Sequence, residues 1–378
     1  MKIAINGLSV IAGGGLTYLF NLLPALGRLD RENQYGVLLS RFNAGLMRGL
    51  PANFEAVTIN LPFRSNLLRG IYEQSALTLR LRKEGYDLLY SPADITSLRS
   101  PCPVVLAMRN PNLYAAVSPS WGLPNQVRLR ILKMLARLSA RKADRIIFVS
   151  EASRREVSSR LNIPLRKSVA IHHGIDPDAF RRGRVKALPR WLPRRYLLSI
   201  STVYHYKNFL PLMEAYRRLR EGRGDAIPDL VIAGRNADGP YYRRMEEFIA
   251  THSLGGHIHL AGDFSYQMVP SLYAGAEIFV FPSYLETFGH PSLEAMAAGV
   301  PVAAADLPVM REVLGDAAAY FDPHEPAEMA STLASLLDDG EARENLRRQG
   351  LERIKKFTWD RTARQTLDLF TATLGKQR

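Results

Sequence analysis

Two acids, Glu286 and Glu294, are separated by seven residues in the stretch FPSYLETFGHPSLEAMAAGVPVAAAD, which runs from Phe281 to Asp306. A short polar loop lies between them. Pro291 suits the first turn of a helix, because its missing N–H would have no partner there in any case. Backbone N–H groups between Glu286 and Pro291 are thereby free to face an anion or a sugar hydroxyl. The carboxylates add paired acceptors for hydroxyl groups. The chemistry within reach is recognition of a polyhydroxylated or anionic ligand.

Such a loop needs rigid elements beneath it. The apolar segment 278–281 precedes it, a helix of small residues follows, and Gly299-Val300-Pro301 breaks that helix before another apolar segment. This is a strand–loop–helix–strand pattern. The second half repeats it, with strands expected at 196–201, 230–233, 258–261, 278–281, 300–304 and 318–321. Helices are expected from Asn208, Tyr241, Met268, Ser292, Val309 and Pro326. The first half alternates likewise, with strands at 2–5, 36–39, 56–61, 88–91, 104–108 and 145–149. The expected class is α/β, two doubly wound Rossmann-like domains. Ligands in such sheets sit beyond the carboxyl ends of the strands. Arg109-Asn110 follows one strand in the first half and Ser150 another, which marks both as candidates on the ligand side.

The chain has 378 residues, 47% hydrophobic and 23% charged, a globular balance that suits two domains. A basic stretch at 181–195 has prolines and no periodicity, which sets the expected boundary between residues 1–188 and 189–358. One cysteine, Cys102, excludes a disulfide framework, and eight scattered histidines give no metal-ligand spacing. The first residues, MKIAINGLSV, read as a strand rather than a signal peptide, and no apolar run reaches the ~18 residues of a membrane span. The expected location is therefore cytoplasmic.

Charge is split unevenly. Residues 1–190 hold 29 Lys+Arg against 12 Asp+Glu, and residues 191–378 hold 21 against 24. A basic half of this kind suits nucleic acid, an anionic membrane or an anionic substrate. No basic-aromatic RNA motif or zinc finger is present, which disfavours nucleic acid. Segment 125–142 mixes Leu, Ile and Val with Arg and Lys and has no acid; segment 63–83 is a second mixture of this type. Each reads either as a peripheral contact with an anionic membrane or as a core helix with a solvated basic face. Gly13-Gly14-Gly15, after the first strand, reads either as a loop that approaches a ligand or as a flexible turn. It does not match the G-x-G-x-x-G spacing of nicotinamide-cofactor domains.

The string ETFGHPSLEAMAAGVPV resembles the E-x7-E signature of the retaining nucleotide-sugar glycosyltransferases of family four, the group 1 glycosyl transferases, which have the GT-B fold. The resemblance extends to Lys207-Asn208, Gly234-Arg235, Gly262 and Phe357-Thr358-Trp359. In the first half it rests on the glycine run, Val149-Ser150 and His173-Gly174-Ile175-Asp176. It implies two domains facing each other across a cleft, with a final helix, residues 359–378, crossing back to the first. It also implies that Glu294 binds the ribose and Glu286 the transferred sugar. Lys207 then neutralises the diphosphate. Thr287, Phe288, Gly289, His290, Pro291 and Ser292 line the donor, with Ser201, Thr202, Gly234, Arg235 and Phe264 beside them. Arg109, Asn110 and Ser150 fall on the acceptor side, Arg109 being counted with Glu286 and Lys207 as catalytic. No metal or cofactor is expected beyond the nucleotide-diphosphate sugar as co-substrate.

Two departures from the family pattern stand out. Ser201 and Thr202 occupy the positions where the family carries an arginine, and His205 or Arg235 is the candidate replacement. Arg109-Asn110 follows the strand where the family often has a histidine, and a guanidinium cannot serve as a base. The expected activity is transfer of a sugar, with retention, to a saccharide or lipid-linked saccharide in polysaccharide or lipopolysaccharide assembly. A sugar-nucleotide epimerase or hydrolase, or a non-catalytic nucleotide-sugar binding protein, would use the same architecture.

Overall fold

A computed structural model describes residues 1–10, 13–46, 49–60, 66–113, 123–180 and 191–375. The chain divides into two compact units, residues 1–174 with 358–378, and residues 175–357. The division falls before the basic 181–195 stretch. Residues 181–190, which carry most of the expected linker, lie outside the described residues.

Strands of the first unit are β1 (Lys2–Asn6), β2 (Gln34–Ser40), β3 (Phe54–Ile59), β4 (Leu88–Ser91), β5 (Val104–Met108), β6 (Arg145–Phe148) and β7 (Ser168–Ala170). They form one parallel sheet in the order β3-β2-β1-β4-β5-β6-β7. Helices α1 (Gly13–Leu29), α2 (Asn66–Gln74), α3 (Ala76–Lys83), α4 (Leu123–Lys142) and α5 (Glu151–Leu161) connect the strands. Alternate residues of β1 point to opposite faces: Ile3 and Ile5 join a core with α1, and Ala4 joins one with α3, α4 and α5. The last helix, α14 (Trp359–Gly375), packs beside α1 in the first unit, burying Ala363 and Phe370.

The second unit has β8 (Tyr196–Ile200), β9 (Asp229–Ala233), β10 (Ile258–Gly262), β11 (Ala276–Phe281), β12 (Val302–Ala305) and β13 (Ala318–Phe321), parallel in the order β10-β9-β8-β11-β12-β13. Its helices are α6 (Pro177–Phe180), α7 (Phe209–Arg223), α8 (Gly239–Thr251), α9 (Val269–Gly275), α10 (His290–Ala297), α11 (Pro308–Leu314), α12 (Pro326–Asp338) and α13 (Gly340–Arg353). In each sheet the order reverses beside the first strand, between β1 and β4 and between β8 and β11. Crevices at such points are where doubly wound sheets take ligands.

The Gly13-Gly14-Gly15 run is the first turn of α1, not a loop. Glycine permits unusual backbone angles without requiring them. The helix is fixed by the buried stripe Tyr18, Leu19, Leu22, Leu23 and Leu26 that follows.

Candidate functional site

The second sheet's reversal point carries the acids. Lys207 ends a short 3-10 turn, His205–Lys207, beyond β8, and Glu286 lies in the loop beyond β11. The Lys207 Nζ donates to Glu286 Oε1, so an ion pair joins the two loops across the crevice. The side chains are only 12% and 9% exposed. Tyr284 N–H donates to Tyr206 O at 3.1 Å and ties the same loops through the backbone. Lys207 also lies over the Tyr206 and Phe281 rings, 5.3 and 5.5 Å from their centroids.

Gly289 turns the chain into α10 with φ +79°, a left-handed angle that costs an L side chain about 1–2 kcal/mol. Pro291 occupies the first turn, as its missing donor favours. Glu294 faces inward from α10 and is 6% exposed. Its Oε2 accepts from the Tyr273 hydroxyl at 3.1 Å, and its Oε1 is 3.2 Å from His290 Nδ1. Ser283, just past β11, and Ser292, in the first turn of α10, are buried and their hydroxyls have no hydrogen-bond partner. The site therefore joins one cation, two acids, two buried hydroxyls and the start of a helix.

The neighbouring loops carry the other candidates. Gly234, with φ +150°, passes so near Ser201 that a Cβ would lie 1.9 Å from Ser201 O. Val203 N–H donates to Arg235 O at 2.9 Å, while the Arg235 side chain is exposed. His205 Nδ1 is 3.4 Å from Asp238 Oδ2, and Asp238 also caps α8. Thr202 is half-buried, and Phe264 stands 6.1 Å from the exposed Trp191 ring. Thr287 and Phe288 are buried, with Phe288 edge-on to Phe357. Among the described residues no group of three or more His, Cys, Asp or Glu is arranged to hold a metal ion.

The first unit has its own reversal point, between β1 and β4. Asp94 Oδ1 accepts from Arg109 N–H at 2.9 Å and Asn110 N–H at 3.2 Å, fixing the turn after β5. The Arg109 guanidinium donates to Pro92 O and stacks on Tyr18, 4.2 Å from the ring centroid. The Tyr18 and Tyr90 hydroxyls are 2.6 Å apart. Burial pushes the Tyr18 hydroxyl up, against the opposing pull of Arg109, and burial pushes Tyr90 higher still. Both remain neutral donors at neutral pH. Ser150 is fully buried as the N-cap of α5, accepting from Ser153 N–H at 3.1 Å and donating to Ser153 Oγ at 2.8 Å. Its hydroxyl is engaged in capping. Sequence reading missed Asp94, Tyr18 and Tyr273, which meet their partners only through the fold; the Ser150–Ser153 spacing did carry a cap signal.

Family models match both halves, one described as Glycosyl transferases group 1 over residues 186–353 and one as Glycosyltransferase Family 4 over residues 12–179. Each model covers under half of the chain, and the two together span most of it. The chain is 30% identical over 255 residues to O-antigen chain mannosyltransferase B of Escherichia coli, a match covering 64% of each protein. It is 26% identical to the D-inositol 3-phosphate glycosyltransferase of Salinispora tropica over 63% of this chain and 52% of that one. These matches span less than two thirds of the relatives' length. Among solved structures, Anabaena HepE in complex with UDP-glucose superposes with a TM-score of 0.73 at 18% identity, over 98% of this chain and 100% of that one. WaaG, a glycosyltransferase involved in lipopolysaccharide biosynthesis, gives 0.70 at 15%, over 97% and 99%. These likenesses show the α/β GT-B fold.

Proposed function

We propose that the chain transfers a sugar from a nucleotide-diphosphate sugar to a hydroxyl of a saccharide acceptor, with retention of configuration and without a metal, in cell-surface polysaccharide or lipopolysaccharide assembly. The observation that carries the reading is the Lys207–Glu286 pair across the second sheet's reversal point, beside the buried Glu294. A nucleotide sugar offers a diphosphate, a ribose diol and a hydroxyl-rich ring. Lys207 meets the departing diphosphate, helped by the first turn of α10. Glu294 holds the ribose diol and Glu286 the hydroxyls of the transferred sugar. As the family resemblance implies, the leaving phosphate itself accepts the acceptor's proton on the face it departs from. The C1–O bond to the diphosphate breaks as the C1–O bond to the acceptor forms, and the proton passes to the phosphate oxygen.

The test is product analysis with a panel of UDP-, GDP-, ADP- and dTDP-sugars. Donor consumed only with an acceptor present supports a transferase, whereas an isomerised donor means an epimerase. Lys207→Ala, Glu286→Ala and Glu294→Ala are expected to abolish or severely reduce transfer with the fold intact. Full activity in all three refutes the assignment.

The acceptor side includes the inner face of an anionic cytoplasmic membrane. Helix α4 supports this, having no acid and exposing Val127, Ile131 and Met134 on one side with Arg128, Arg130, Arg137 and Arg141 around them. Such a stripe suits the boundary between lipid headgroups and acyl chains. Among the described residues no helix is long and apolar enough to cross a membrane. Co-sedimentation with phosphatidylglycerol vesicles at low salt is expected, and its absence removes the membrane reading.

A further inference from the structure

We infer that Tyr273 is a positioning residue of the donor site, orienting the Glu294 carboxylate for a ribose diol; the inference rests on the donor reading above. The Tyr273 hydroxyl lies 3.1 Å from Glu294 Oε2 and 3.0 Å from Pro291 O. One hydroxyl thus joins the first turn of α10 to the carboxylate one turn later. His290 Nδ1 stands 3.2 Å from the other oxygen, Oε1. Held by the protein at both oxygens, the carboxylate has its plane fixed at both ends.

The ring is held as firmly as the hydroxyl. Tyr273 is fully buried, edge-on to Phe279 at 5.4 Å and to Phe180 at 5.9 Å. Phe180 ends α6, and α6 contacts both α9 and α10. The short segment that opens the second unit therefore braces the tyrosine, and the tyrosine braces the acid. Packing alone would be satisfied by phenylalanine. The hydroxyl is what reaches Glu294.

Tyr273→Phe keeps the ring and removes both hydroxyl contacts, to Glu294 Oε2 and to Pro291 O. Steady-state transfer is measured with UDP-glucose and GDP-mannose as donors, together with equilibrium binding of UDP and GDP. Loss of a hydrogen bond to a charged group predicts a rise of about ten-fold in donor KM and nucleotide Kd, with kcat within about three-fold of wild type. The double variant with Glu294→Gln is expected to bind no worse than Glu294→Gln alone, because the tyrosine acts through the acid. Unchanged donor KM and nucleotide Kd in Tyr273→Phe overturn the inference. So does a fall in kcat and thermal stability with KM unchanged, which marks a purely structural tyrosine. If Glu294→Gln itself leaves donor KM and nucleotide Kd unchanged, the donor reading fails first and takes this inference with it.

Discussion

Glu286→Gln should tighten nucleotide binding while weakening catalysis. In the ligand-free protein Lys207 and Glu286 satisfy each other, with side chains about nine-tenths shielded from water. A hydrogen bond to a charged group is worth about 1.5–3 kcal/mol net, more than the roughly 0–1 kcal/mol of an exposed pair. A diphosphate arriving at Lys207 meets that pair and the repulsion of the Glu286 carboxylate. Glutamine keeps the shape and removes the charge, so an anion gains at least ~1.4 kcal/mol, a Kd for UDP or GDP lowered about ten-fold or more. The ligand-free variant loses about 2–3 kcal/mol of stability, since Lys207 is left shielded and uncompensated, and bound nucleotide restores it. Turnover falls about a hundred-fold or more, because a contact to the reacting sugar is weakened. Isothermal titration with UDP and GDP at low and high salt, with thermal melts of both forms, measures this. Weaker or unchanged nucleotide binding together with an unchanged melt would refute the reasoning.

Three further perturbations follow from single positions. Glu73 is buried beneath Asn6 Nδ2, 3.2 Å away, and burial raises its carboxyl above the ordinary 4.5 against the pull of Arg69. Its stabilising effect is full below the unfolded value and is lost as pH rises through the folded one, so Glu73→Gln should gain stability over wild type at pH 8 and none near pH 4, measured by denaturant unfolding. Gly289→Ala places a Cβ at φ +79°, 2.8 Å from Met310 Sδ, and is expected to cost about 2 kcal/mol in chemical denaturation and to weaken nucleotide binding. Gly174→Ala sets a Cβ 2.2 Å from Trp359 N and 2.6 Å from Thr358 C, backbone atoms that cannot yield cheaply. A loss of about 3 kcal/mol or more, seen as a lowered melting temperature, is expected.

The strands were readable because parallel strands buried on both faces appear as short apolar runs. The loop and helix around Glu286 and Glu294 were readable because proline, glycine and small residues mark their ends. What escaped depended on distance along the chain. Tyr273 reaches Glu294 across β11, and Asp94 reaches Arg109 across β5, with nothing in either local sequence to announce the partner. The glycine run misled because a helix start and a loop share its composition. The basic 181–195 stretch marked a compositional change, while the division at 174/175 follows the packing of Phe180 against the second unit.

The first unit is discontinuous in sequence and the second is not. During synthesis, residues 175–357 are available as an uninterrupted block, whereas the first sheet waits for α14 to cover the surface beside α1. Until residues 358–375 leave the ribosome, the nascent amino-terminal unit exposes the apolar seats of Ala363 and Phe370. The part made first is thus completed last, and a premature stop near the carboxyl end strikes the amino-terminal unit.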